Sequence, residues 1–249
     1  MRRRFFVDGF GSDTATLRGE GAEHLGRVLR AEPGQLYELS DGERVWLGRI
    51  ASVALPKRGE SRIEFALVEP VPAPVPALEL QLLLSLIKFD RFEWCIEKAV
   101  ELGVTEIVPL AAARTDKPLL AAAEKRHARW EKILLESAQQ ARRLRPPAMA
   151  AAVAPERAFG QSNAVLKILL SERREAPPLR EILLNASGAH ASAAGASIAI
   201  GPEGGWTEGE IAAARAAGFQ EASLGENILR AETAVIASLA IVRFALGDK

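Results

Sequence analysis

Hydrophobic and polar positions change rhythm twice along this 249-residue chain. Up to about residue 70 they alternate singly. Ile63, Phe65 and Leu67 are interleaved with Arg62, Glu64 and Ala66, the period of two that a half-buried strand requires. Asp41-Gly42 separates two further apolar runs, 36–39 and 45–53, with the chemistry of a hairpin turn. Gly48 falls where the alternation slips, which predicts a bulge. A helix is predicted over 22–30, with Leu25, Val28 and Leu29 facing inward and His24, Arg27 and Arg30 recurring every three residues on the other side. Residues 1–70 therefore read as a small, mostly β domain.

The second change of rhythm comes after prolines 70, 72, 74 and 76, whose alternation favours an extended, semi-rigid spacer; the linker is placed at 71–77. Beyond it the apolar runs lengthen. Residues 78–86 are nearly continuous in Leu, as a strand buried on both faces needs. A polar loop at 88–91 leads into a helix over 92–102, with Phe92, Ile96, Ala99 and Val100 on one side and Gly103 as its stop. Strands follow at 105–110 and 164–171. Between them lies a long helix, 121–143, whose inner face is Trp130, Ile133, Leu134, Ser137, Ala138 and Ala141. Pro177-Pro178 precedes a short helix, 179–185, and the Ala-, Ser- and Gly-rich stretch 186–197 reads as an exposed connection. Strands at 197–200 and 219–224 flank a helix that Thr207 caps, with Glu210 completing a capping box and Gly218 ending it. A last, very apolar helix begins at Ala231. Strand and helix in this alternation give an α/β domain over 78–249.

Composition narrows the picture. Hydrophobic residues make up 48%, enough for a sizeable core. One cysteine, Cys95, excludes an internal disulfide framework and a paired-cysteine metal site, and no metal is expected. The N-terminus is basic but lacks an apolar signal region, and the apolar stretch 231–246 carries Glu232 and Arg243 and is too short for a bilayer. A cytoplasmic protein is the expectation. Thirty-two basic and 32 acidic residues leave no net charge, so an RNA surface has to be a local patch. Two basic runs stand out. Arg2, Arg3 and Arg4 open the chain. Residues 124–145 hold seven Lys or Arg against three Glu, a net +4, ending in Arg142, Arg143 and Arg145.

Two loops leave the carboxyl ends of neighbouring predicted strands, the edge where open α/β sheets bind ligands. The first, Gly201-Pro202-Glu203-Gly204-Gly205, has no Lys and carries a carboxylate, so it suits a neutral or cationic ligand better than a phosphate. S-adenosylmethionine, with its sulfonium and ammonium, is such a ligand. The second is Leu224-Gly225 through Ile228, Leu229, Arg230 and Ala231.

IGPEGGWTEGEI followed by SLGENILRAETA resembles the signature of the RsmE family, uridine N3-methyltransferases of 16S ribosomal RNA in the SPOUT superfamily. HLGRVLR (24–30) followed by Pro33-Gly34 is similar to the family's N-terminal motif. The resemblance implies a PUA-like β-barrel, then a parallel-sheet domain whose C-terminal part is tied in a trefoil knot that binds S-adenosylmethionine. It also implies a homodimer and a substrate of 16S rRNA or the small ribosomal subunit. A third cofactor loop is implied at Leu170, Ser171 and Glu172. His24, Arg27, Arg30 and the N-terminal arginines become candidates for holding RNA, with Lys88, Arg91, Arg142 and Arg145. Lys88-Phe89-Asp90-Arg91 departs from the family's Lys-Gly-Asp-Lys/Arg, so its loop is expected to bend differently. Gln139, Gln140 and Arg143 fall where the family has a Glu-Gln-x-x-Arg-like element at the active-site rim, Gln139 replacing the Glu.

Methylation at N3 needs alignment of base and methyl, and a cation for charge developing on the uracil oxygens. Arg230 is the first candidate for that cation. Glu232 is read either as its orienting partner or as helix N-terminal charge compensation, and Arg143 and Arg4 rank second. Two rivals remain open at this level: a catalytically silent RNA-binding or ribosome-assembly protein, and a hydrolase pairing the carboxylates of Glu203 and Glu232.

Overall fold

The strand β6 (Leu80–Ser85) is apolar at nearly every position because both of its edges and both of its faces are covered. In the computed structural model, which describes residues 3–73, 78–186 and 195–247, it lies inside a six-stranded, wholly parallel sheet. The order is β11-β9-β10-β6-β7-β8, with β7 (Glu106–Leu110), β8 (Ala148–Met149), β9 (Leu166–Leu170), β10 (Ala196–Ile200) and β11 (Gln220–Ala222). Side chains alternate across it. Leu83, Val108, Leu169 and Ala199 pack with Phe159 of α4 (Pro155–Gln161) and with Ile211 and Ala214 of α6 (Glu208–Ala216). The intervening residues Leu82, Ile107, Ile168 and Ile198 are fully buried on the other face. There α7 (Ala231–Leu246) packs on β10 and on α2 (Phe89–Glu101). Two more helices are α3 (Lys117–Gln140) and α5 (Leu179–Ala186).

The chain divides into two units: Met1–Val75 with Ala138–Pro146, and Pro76–Ser137 with Pro147–Lys249. The first is built on a five-stranded sheet ordered β1-β3-β4-β5-β2. Strands β3 (Leu36–Ser40), β4 (Val45–Ala54) and β5 (Arg62–Pro70) follow the predicted alternation, and the register slips at Leu47/Gly48 as Gly48 indicated. Two short strands, β1 (Arg4–Phe6) and β2 (Thr14–Arg18), were not read in the sequence; β1 pairs parallel with β3 and β2 antiparallel with β5. The core is Phe5, Leu25, Leu39, Ile50, Ile63 and Phe65.

Several expectations are corrected. The helix expected at 22–30 is a short α-helix, α1 (Gly19–Glu23), continued by one π-helical turn over His24–Val28. The wider turn rotates the later residues outward: Leu25 is buried, while Val28 is 65% and Leu29 36% exposed. The polar loop at 88–91 is instead mostly helix. Phe89 is the first residue of α2, in the ordinary backbone conformation that a bulky side chain accepts, and its ring packs near Trp130 and beneath the Arg126 guanidinium. Helix α3 begins four residues earlier than expected and stops at Gln140, leaving Ala141 exposed and outside it. Part of the linker, and most of the connection read at 186–197, lie outside the described residues, as does Arg2.

Candidate active site

Strands β9, β10 and β11 are neighbours, so the loops leaving their carboxyl ends converge. Together they enclose a cleft of about 810 Å³. Local bonds hold each loop in place. The Thr207 hydroxyl accepts from the Glu210 N–H, and the Glu210 carboxylate accepts from the Thr207 N–H at 2.8 Å: the predicted capping box. The other Glu210 oxygen accepts the N–H of Ala113 at 2.9 Å, so this 2%-exposed carboxylate also ties in the segment after β7. The Trp206 indole N–H donates to the Leu170 carbonyl at 2.9 Å, joining the β10 loop to the end of β9. The Ser171 N–H donates to the Ala222 carbonyl, joining β9 to β11.

The glycines are required for two distinct reasons. Gly205 has φ +71°, a left-handed conformation that closes a tight turn by donating to the Pro202 carbonyl. Gly201 packs against the Trp206 ring, and a Cβ there would meet the indole at 3.1 Å.

The cleft's charges sort into pairs. Arg91, in the first turn of α2, is ion-paired with Glu203. Arg173 is paired with Glu208 at 3.1 Å. Arg114 donates to the carbonyls of Gly204 at 2.8 Å and Trp206 at 3.2 Å. Among the described residues, Arg230 is the one arginine lining the cleft whose guanidinium has no hydrogen-bond or ion-pair partner. It is the N-cap residue of α7, with extended backbone (φ −65°, ψ 153°) and a side chain that does not cap. Glu172 and Glu226 line the cleft with carboxylates that are likewise unpaired among the described residues. Free carboxylates, apolar Ile and Leu side chains and exposed loop backbone suit a cation that also carries a flat apolar ring. They disfavour a phosphate. The donor set therefore fits S-adenosylmethionine.

Of the residues expected to contact the cofactor, all but Gly204 line this cleft, among them Pro202, Gly225, Leu229 and Ala231. Glu232 does not line it. One of its carboxylate oxygens is buried without a hydrogen-bond partner, and its charge is felt by the Cys95 thiol on α2. Glu203 is engaged by Arg91, so Glu203 and Glu232 form no carboxylate pair, which removes the basis of the hydrolase reading. Arg91, expected to hold RNA, is fixed on the glycine loop, whereas Lys88 is exposed just ahead of α2.

In the first unit Arg4 is also corrected. It is 5% exposed, and its guanidinium bonds Glu38 at 2.9 and 3.1 Å and the Arg142 carbonyl at 2.6 Å. It is a core ion pair rather than a free phosphate contact. Arg142 is itself 3.5 Å from Glu38. Arg143 lies in the same segment and Arg145 is exposed there. Arg3, Arg27 and Arg30 are exposed; Arg3 Nη1 is 3.4 Å from His24 Nε2, and Arg27 donates to the Pro56 carbonyl at 3.4 Å. The sequence reading missed Arg114, Arg173 and Trp206. Trp206 stands inside the GPEGGW motif and was readable there. Arg114 is 90 residues from the loop it bonds, with no local signal.

Residues 74–243 match the family model described as RNA methyltransferase domain. A ribosomal RNA small subunit methyltransferase E from Synechocystis is 34% identical over 234 residues, covering 91% of this chain and 72% of the relative. The crystal structure of such a methyltransferase from Neisseria gonorrhoeae, bound to S-adenosylmethionine, superposes with a TM-score of 0.81 at 28% identity, covering 100% of this chain and 99% of the other. A Legionella pneumophila chain in complex with the same cofactor gives 0.85 at 25% identity, with all of both chains covered. Fold and cleft thus define an S-adenosylmethionine-dependent RNA methyltransferase. Within that class, the chain belongs to the ribosomal RNA small subunit methyltransferase E (RsmE) family.

Proposed function

We propose that this protein methylates N3 of one uridine in the 16S rRNA of the small ribosomal subunit, with Arg230 as the cation beside the reacting base. The observation that carries the reading is the unpaired Arg230 guanidinium in a cleft whose other lining arginines are engaged. S-adenosylmethionine would be held between the three loops, where Leu170, Glu172, Gly201, Leu224 and Glu226 line the cleft, and would supply an electrophilic sulfonium methyl for in-line displacement. Arg230 holds the uracil by its oxygens and stabilises the negative charge that spreads onto them as N3 loses its proton to solvent. Glu232, in the first turn of α7, complements the helix N-terminus and keeps the Arg230 backbone in its extended cap conformation.

Family membership supports the rest of the reading. Residues 1–70 form a PUA-like barrel that grips rRNA through Arg3, His24, Arg27 and Arg30, with 71–77 as linker. Residues 78–249 are a SPOUT domain whose C-terminal loops are threaded as a trefoil knot. The protein works in the cytoplasm as a homodimer, a state supported by the exposed Phe244 and Ile241 on α7.

The test is transfer of labelled methyl to small subunits that lack N3-methyluridine. Wild type is expected to label a single uridine, and Arg230→Ala to be slower by about 100-fold or more. Equal rates would discard Arg230. No label with wild type would overturn the function.

A further inference from the structure

The glycine loop is not held by its own residues alone. Arg114, on the segment following β7, reaches it from 90 residues away: one guanidinium nitrogen donates to the carbonyls of Gly204 and Trp206. Its aliphatic stem lies along the Gly204 backbone so closely that a Cβ on Gly204 would meet the Arg114 Cβ at 3.3 Å. The same segment donates a second time, from the Ala113 N–H to the buried Glu210 carboxylate. The two bonds make a closed bracket: segment to helix α6 through Glu210, and segment to loop through Arg114. Between its arms sit Gly204, Gly205 and Trp206, the part of the loop that turns through positive φ and bonds on to β9. The Gly204 and Trp206 carbonyls are thereby engaged by a cation. Arg114 itself lines the cleft.

We infer that Arg114 is the positioning residue of the cofactor loop. It sets the affinity for S-adenosylmethionine by preordering residues 203–206, and takes no part in charge stabilisation at the base. This rests on the reading of the cleft as the S-adenosylmethionine site. Preordering lowers the cost of binding without preferring the transition state, so its loss appears in the cofactor's Kd and KM rather than in kcat. It also explains why position 204 is glycine: a side chain there displaces the Arg114 stem.

The experiment compares wild type, Arg114→Ala and Arg114→Lys in three measurements. These are S-adenosylmethionine binding by calorimetry, amide hydrogen exchange of the ligand-free protein over residues 203–207, and steady-state methyl transfer. Arg114 is exposed, so truncation leaves the core intact; unchanged exchange in β6 and β10 verifies this. Arg114→Ala is expected to weaken binding about tenfold, equal to about 1.4 kcal/mol. Loop amides exchange faster in the ligand-free state, and kcat at saturating cofactor stays within about threefold. Arg114→Lys recovers part of the affinity, since an ammonium also donates to carbonyls but lacks the rigid fork. Unchanged affinity and exchange in Arg114→Ala would overturn the inference. So would a collapse of kcat at unchanged Kd, which would make Arg114 catalytic. Wild type that binds no S-adenosylmethionine would instead refute the reading of the cleft.

Discussion

At the scale of single residues, Cys95 shows how place decides chemistry. It is the chain's one cysteine, fully buried on α2. Burial, with the Glu232 carboxylate adding to it, pushes its thiol up from 9.0 to about 12. The thiol is therefore inert near neutral pH. Its folded pKa lies above its unfolded one, so the folded state holds the proton longer. Its stability contribution is complete below pH 9 and is lost as pH rises toward 12. Wild type is expected to lose about 1 kcal/mol per pH unit more than Cys95→Ala across pH 9.5–11. Urea unfolding of both proteins at several pH values measures the difference. Arg4 teaches the converse. Its neighbours in sequence are arginines and it reads as surface charge, yet it is buried on Glu38. Breaking a buried pair of that kind by removing one partner typically costs about 3–5 kcal/mol.

At the scale of elements, the helix α6 is the piece on which the site hangs. Its cap fixes where the β10 loop ends, and Glu210 carries that constraint to the segment after β7. Thr207→Ala is expected to lower stability by about 1 kcal/mol, seen as an earlier denaturation midpoint with an unchanged slope. This element was legible: Thr207, Glu210 and Gly218 are local signals, and each acts within its own turn. The same holds for the Asp41-Gly42 hairpin and for β6, whose apolar run needs no partner to be recognised. What was not legible is either too short or too distant. Strand β1 has three residues, fewer than alternation needs to stand out, and β2 is held by β5 from the far end of the unit rather than by a neighbouring strand in sequence. The π-helical turn at His24–Val28 turns Val28 and Leu29 outward by an extra residue per turn that 3.6-periodicity does not contain. Phe89 was read from what stands there in related chains. Its own preference for helical angles, and for Trp130 and Arg126 as neighbours, gave the structure. The cleft's loops were found by motif, whereas Arg114 was found only by folding the chain.

At the scale of the whole molecule, both units are closed by segments distant in sequence. The first unit is completed by Ala138–Pro146: Ser40 donates its hydroxyl proton to the Leu144 carbonyl at 2.6 Å. In the second, the central strands β6 and β10 pair across an interval of 116 residues, as between Gln81 and Ser197. A ribosome adding about 5–20 residues per second delivers β10 roughly 6–23 s after β6. For that interval β6 presents one open edge, with its most apolar sequence, to the crowded surroundings of the nascent chain. Arrested nascent chains ending near residue 190 should therefore be cut by protease within 78–110, and chains extended past residue 225 should resist. Equal sensitivity of the two would mean that β6 and β7 protect each other without β10. The strand order that brings three loops together into one binding cleft is thus also what makes β6 wait for a partner synthesised 116 residues later.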